Sequence, residues 1–289
     1  MAAVSVPLPA QQSFTITDLG TLGGSSSFAL GSNDRGDVVG YSQLPGDVES
    51  HAFLWRAGVM MDLGTLGPEG SYALDVNADG HVVGVSSPHP FVWREGVMTT
   101  LPLLAGHTFG IAVAINDAGQ IVGTSGGHAV TWIDEHVVPL VPPAGPAYGS
   151  TATGINKGGL IVGYAGGPEF NRIRAVLWED GVARYLQDPP LPGCPAPGCL
   201  DHSLAWGIND RGEIAGVAYD AEERGYIVKW VNGTPMVLPN GWRPAGAAPI
   251  ATGVYMWWGC TRAVRAATPR RQRRWSSRTM RGDAKSRSG

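Results

Sequence analysis

The sequence predicts an all-β fold, a propeller-like array of four-stranded antiparallel blades. Three observations predict it. The phrase "SNDRGDVVGYS" at residues 32–42 returns as "VNADGHVVGVS", "INDAGQIVGTS", "INKGGLIVGYA" and "INDRGEIAGVA". The motif asparagines Asn33, Asn77, Asn116, Asn156 and Asn209 are 44, 39, 40 and 53 residues apart, a blade-like period with no helical patterning. A second hairpin with a tryptophan at a fixed place follows each phrase, which completes four short strands per unit.

Each phrase reads as a hairpin. The apolar stretch before the asparagine is one strand, and "VVG", "IVG" or "IAG" belongs to the next. Between them Asn starts a type I turn by bonding its own backbone. The glycine three residues on, Gly36, Gly80, Gly119, Gly159 or Gly212, takes the left-handed bulge position. An alanine stands four residues before each motif asparagine (Ala29, Ala73, Ala112, Ala152, Ala205) and a glycine seven after it (Gly40, Gly84, Gly123, Gly163, Gly216).

The second hairpin is clearest in "HAFLWRAGVMMDLG", with strands expected at 51–55 and 59–63. Trp55, Trp93, Trp132, Trp178 and Trp230 hold the same place in their units. One blade cannot bury both faces alone, so these indoles are expected to pack between stacked blades rather than serve as an open sugar platform. "FTITDLG" at residues 14–20 matches the end of a blade without its first three strands, and is expected to complete a last blade and join the ends of a ring.

Five blades are legible and a sixth is truncated, which is the basis for expecting an incompletely closed ring. "ATGV" at 251–254 begins the sixth, then the pattern gives way to "YMWWGCTRAVRAATPRRQRR". Met and Trp each have a single codon, so Tyr-Met-Trp-Trp-Gly is encoded TAY-ATG-TGG-TGG-GGN. Read from the third base of the Tyr codon, this becomes (His/Tyr)-Val-Val-Gly, the missing phrase. The organisation is therefore a leader or signal-peptide remnant at 1–13, a repeat domain at 14–242, and a basic disordered tail at 243–289 read as out of frame. A frame-disrupted product without selected function is one reading of the whole chain.

Bulk composition agrees with a turn-rich globular domain: 289 residues, 43% hydrophobic and only 16% charged, with Gly 42 and Pro 22. The net charge of −3 hides a split. From Arg243 onward eleven Lys/Arg face the single acid Asp283, which leaves ten Lys/Arg and 23 acids before it, a net −13. Only the tail, with "PRRQRR", has nucleic-acid or anionic-surface character, and nucleic acid is not expected as a partner. No apolar run reaches the length of a membrane span. Cys194 and Cys199 sit in "LPGCPAPGCL", where a short disulfide could close in an oxidising compartment.

No nucleophile elbow, zinc helix, phosphate loop or dinucleotide fingerprint is present. His51, His89 and His128 open the third strand of the first three units, but equivalent positions on successive blades diverge around a ring, so no metal site is expected. The turns "NDRGD", "NADGH" and "NDRGE" offer one or two carboxylates each, too few for calcium. No cofactor is expected. Asp75, Asp117 and Glu213 are the acids that could meet near an axis, the basis of an alternative reading as a propeller-type glycoside hydrolase or lyase. The longer insertions at 41–51 and 187–203 are candidates for a binding rim.

These phrases resemble the HAF repeat family, bacterial repeats predicted to be extracellular and named for the His-Ala-Phe that stands here at His51-Ala52-Phe53. "FTITDLGTLGG" and "MDLGTLG" are similar to that family's "DLGTLGG" element. The resemblance covers about residues 14–254 and implies a secreted or surface-associated protein, without catalytic or binding residues to carry over. The expected function is non-enzymatic binding of a protein or glycan partner through blade-end loops. An open blade edge is expected to favour oligomers or aggregates.

Overall fold

The computed structural model describes residues 15–146, 148–167, 172–191 and 200–238. Twenty strands form five four-stranded antiparallel sheets, and among the described residues there is no helix. Blade 1 holds β1 (Ser27–Ser32), β2 (Val38–Gln43), β3 (Ser50–Arg56) and β4 (Val59–Asp62). Blade 2 holds β5 (Ser71–Val76), β6 (Val82–Ser86), β7 (His89–Arg94) and β8 (Val97–Thr100). Blade 3 holds β9 (Gly110–Ile115), β10 (Ile121–Ser125), β11 (His128–Ile133) and β12 (His136–Pro139). Blade 4 holds β13 (Ser150–Ile155), β14 (Ile161–Gly166), β15 (Ile173–Glu179) and β16 (Val182–Tyr185). Blade 5 holds β17 (Leu200–Ile208), β18 (Ile214–Asp220), β19 (Gly225–Val231) and β20 (Thr234–Val237). Strands lie in chain order within each sheet, so every blade is a meander. Among the described residues, extended packing runs only between successive blades, and first strands pack on first strands, which puts these innermost in an array that the described residues do not close.

The alanine and glycine of the repeat are cross-strand partners, from Ala29 with Gly40 to Ala205 with Gly216. One residue beyond each alanine the register slips by a bulge, which twists the inner strand. A Cβ on the glycine would collide with the carbonyl oxygen of the residue before the alanine: Phe28, Tyr72, Ile111, Thr151 or Leu204. Close backbone approach therefore dictates glycine at this place in the strand.

Four seams between blades carry the core. Each combines Ala, Val or Leu from the trailing face of one blade with the tryptophan side of the next. Trp93, Trp132, Trp178 and Trp230 are buried in them, at 8%, 1%, 1% and 0% exposure. The last three also donate their indole N–H to a carbonyl in the loop leaving the previous blade: Pro102 (2.7 Å), Val141 (3.2 Å) and Gln187 (2.8 Å). Trp55 is only half-buried, because among the described residues no blade precedes blade 1. The trailing face of blade 5 departs from the others. Where they bury Val39, Val83, Val122 and Val162, it has an exposed Ala215. Where they bury Leu54, Val92, Thr131 and Leu177, it has Lys229, ion-paired to Glu213 at 2.7 Å.

The expected closing strand at 14–20 is not seen. Residues 15–20 join no sheet and Ile16 is 96% exposed; the described residues contain no third strand for them to pair with. This segment instead leads into a blade-to-blade linker. The Leu22 N–H donates to the Ser42 hydroxyl at 2.9 Å, as the Leu66 N–H does to Ser86 at 2.8 Å. The sixth unit, the basic tail, and Cys194 and Cys199 lie outside the described residues.

A candidate binding cleft between blades 2 and 3

The motif asparagines do more than start turns. In blade 1 the Asn33 Oδ1 accepts the N–H of Arg35 and of Asp37, both at 3.0 Å, while the Gly36 N–H closes the turn onto the Asn33 carbonyl at 3.2 Å. The bulge glycines Gly36, Gly80, Gly119, Gly159 and Gly212 all have positive φ, between 75° and 85°. The side-chain amide then reaches the next blade. Asn33 Nδ2 donates to the Asn77 carbonyl (2.9 Å), Asn77 to Asn116, Asn116 to Asn156 and Asn156 to Asn209 (each 3.2 Å). This relay fixes the register of each blade against its neighbour at the turn end. Asn209 ends it by donating to Glu213 at 2.8 Å.

Beside this relay each repeat has two further positions of interest: the residue four after the asparagine and the residue after the core tryptophan. In blade 1 these are Asp37 and Arg56, joined by two hydrogen bonds, Nε to Oδ1 at 2.7 Å and Nη2 to Oδ2 at 2.8 Å. The Arg56 hydrogen bond holds the Asp37 carboxyl below the usual value, against the opposing effect of burial. In blade 2 the arginine recurs as Arg94, but His81 replaces the carboxylate. Arg94 Nε and His81 Nδ1 are both buried and make no hydrogen bond. Burial, and then the Arg94 charge, push the His81 pKa below its ordinary value and keep the imidazole neutral.

Blade 3 supplies the opposite wall. Its β11–β12 turn has non-glycine residues at both left-handed positions, Asp134 (φ 47°) and Glu135 (φ 64°). The second of these is glycine in the other blades: Gly58, Gly96, Gly181 and Gly233. A left-handed L-residue costs about 1–2 kcal/mol. Here that strained turn sends the Glu135 carboxylate back across the seam to Arg94 Nη1, at 3.5 Å. Between the walls lies a cleft of about 400 Å³, lined by Asn77, Asp79, His81, Arg94, Asp117, Asp134 and Glu135 among others. It places carboxylate acceptors and a guanidinium donor along one open cleft, with Ala118 and Gly119 completing the lining. Such a surface suits a ligand rich in hydroxyl groups, which can donate to one wall and accept from the other.

Of the acids singled out by sequence, Asp117 lines this cleft, while Asp75 and Glu213 are not among its lining residues. Asp75 accepts the Ile115 N–H at 3.1 Å, and Asp117 the Ala78 N–H at 2.9 Å; both bonds cross the blade 2–blade 3 seam. Glu213 is engaged within blade 5 by Lys229 (2.7 Å) and Asn209 (2.8 Å). These acids serve as structural acceptors, and they do not converge as one central group. His51 binds Asp62 at 2.9 Å, His89 is exposed, and His128 faces the Gly126 carbonyl at 3.2 Å. Among the described residues, no group of three or more His, Cys, Asp or Glu is placed to hold a metal. The first insertion folds back onto its own blade, with the Ser25 N–H on Asp47 at 2.7 Å. In the second, Leu191 is buried, and residues 192–199 are outside the described set.

His81, Arg94, Asp79, Asp134 and Glu135 were not singled out by sequence. Their signal lies in what differs between repeats. Reading down the copies gives Asp37, His81, Gln120, Leu160 and Glu213 opposite Arg56, Arg94, Ile133, Glu179 and Val231. Only blade 2 has the arginine without an acid at the aligned position of its own blade.

No protein-family model matches the chain, and no curated protein matches it. Among solved structures it is similar to a mutant of the Aleuria aurantia lectin AAL in complex with Fucalpha1-6GlcNAc, at 12% identity and a TM-score of 0.31, over 76% of this chain and 80% of that one.

Proposed function

We propose that the chain is a non-enzymatic, secreted or surface repeat protein of HAF type that binds a glycan at the turn end of the seam between blades 2 and 3. One observation carries this reading: Arg94 and His81 line a cleft of about 400 Å³ while Arg94 Nε and His81 Nδ1 have no protein partner. Buried polar groups without partners are costly, and the carboxylates and guanidinium that line the cleft suit a hydroxyl-rich ligand. The excess of carboxylates over cations in the cleft favours an uncharged sugar over a uronic or sialic acid. The test is a screen of the full chain on immobilised glycans, with turnover measured on every glycan retained. A set of neutral glycans bound without cleavage, and lost in Arg94→Met, is the expected result. Binding that survives Arg94→Met, binding only to acidic glycans, or no binding would overturn the reading. Cleavage of a bound glycan would favour a hydrolase.

A further inference from the structure

At the end of the blades opposite the asparagine turns, a second cavity of about 260 Å³ opens at the seam of blades 3 and 4. We propose that it is a peptide-binding pocket that takes a branched aliphatic side chain. This goes beyond the glycan reading, since it concerns a different seam and the other end of the blades.

The walls are mostly apolar, with Leu104, Leu140, Val141 and Pro142 among them, and the imidazoles of His107 and His128 at one side. The volume falls below the roughly 300–1,000 Å³ of sites for drug-sized ligands, which fits a side chain better than an extended molecule.

Neighbouring seams indicate what belongs there, because each fills the corresponding place from its own linker. Between blades 4 and 5, Leu191 is 5% exposed and packs with Ala175 and Leu186, the equivalents of Ala129 and Leu140 in the pocket wall. Between blades 2 and 3, Leu103 lies so close over Gly110, the equivalent of Ser150, that a Cβ there would come within 2.6 Å of the leucine Cδ2. The linker of the blade 3–blade 4 seam, "LVPPAGPAYG", has no leucine after Leu140. The repeat geometry that receives a leucine from within at the two neighbouring seams is thus left open here to one from outside, with Val141 46% exposed.

The mouth also has a handle for a peptide backbone. His128 Nδ1 faces the Gly126 carbonyl at 3.2 Å, so in the neutral ring it carries the proton and Nε2 is the acceptor. His107 Nδ1 lies 3.0 Å from the Ser125 hydroxyl, which also accepts the Leu104 N–H at 3.0 Å. The two rings stack with centroids 5.5 Å apart, a flat wall for an aliphatic group.

The test titrates the full chain, labelled in its histidine rings, with acetyl-Gly-Leu-Gly-amide and acetyl-Gly-Ala-Gly-amide by NMR. Burying leucine in place of alanine should move the His107 and His128 signals at about ten- to a hundredfold lower peptide concentration. Ala105→Leu and Val141→Phe, at an exposed lining position and at the half-exposed Val141, should fill the pocket from within and remove the response. Arg94→Met, in the other cleft, should leave it unchanged. Equal responses to the two peptides, no response, or a response that survives both filling variants would overturn the proposal.

Discussion

Blades 1 and 2 place the same arginine after the core tryptophan, and they treat it differently. In blade 1 the carboxylate of Asp37, 4% exposed, grips Arg56 with two hydrogen bonds. In blade 2 His81 stands in that place, Arg94 Nε is unbonded, and an acid from the next blade approaches from outside at 3.5 Å. Paired with its own strand, the arginine is part of the scaffold. Without that partner, the corresponding arginine lines a cleft. The strand order is common to both, and the two blades differ at the position that faces the arginine.

The largest difference between these blades should appear in their tryptophans. Trp93 is packed in the seam with blade 1, whereas Trp55 has no described blade against it. Trp93→Ala should cost about 3–5 kcal/mol, and Trp55→Ala less than half of that, in equilibrium denaturant unfolding. Equal losses would mean that Trp55 is as deeply covered as Trp93.

Acid should next distinguish the two arginine partners. Asp37 has its pKa lowered in the folded state, first by Arg56. Its contribution is therefore present above the ordinary carboxylate value of 3.8 and fades as pH falls through the folded value. Asp37→Asn should remove about 1.5–3 kcal/mol near neutrality and flatten that acid loss. His81 is also lowered, chiefly by burial, so the unfolded chain takes up its proton first. Stability should then begin to fall as pH drops below 6.5, and His81→Gln should abolish this earlier loss. Thermal unfolding across pH 3–8 for both variants would read the two windows separately.

The smallest effect belongs to the strained turn. Glu135→Gly should stabilise the chain by about 1 kcal/mol, since glycine takes a positive φ without penalty. It should also weaken glycan binding, because it removes one wall of the cleft. Gain in both stability and affinity would separate the strain from any role in binding.

How much of this could be read in the chain follows from where each signal is encoded. The Asn33–Gly36 turn and its four copies are local, and local chemistry writes its own sequence. The Ala29–Gly40 pairing is visible as a cadence, but its cause, a carbonyl in the space of a Cβ, exists only once the bulge forms. The relay from Asn33 to Asn77 joins residues 44 apart, and a turn-forming asparagine looks the same with or without it. The cleft was hidden for a stronger reason. Its distinguishing residues, among them His81 and Glu135, depart from the repeat and lie on two blades, whereas pattern reading rewards what recurs. The expected closing strand has no counterpart among the described residues, since "FTITDLG" keeps the pattern of a fourth strand without a described third strand to pair with.

His81→Asp is the most direct test, because it writes the Asp37–Arg56 pair into blade 2. Isothermal titration of a retained neutral glycan onto the wild-type and variant chains should show binding to the first and a loss of at least tenfold in the second, with the folded state unharmed. Undiminished affinity in His81→Asp would contradict the account, for then the unbonded arginine is not what the ligand meets.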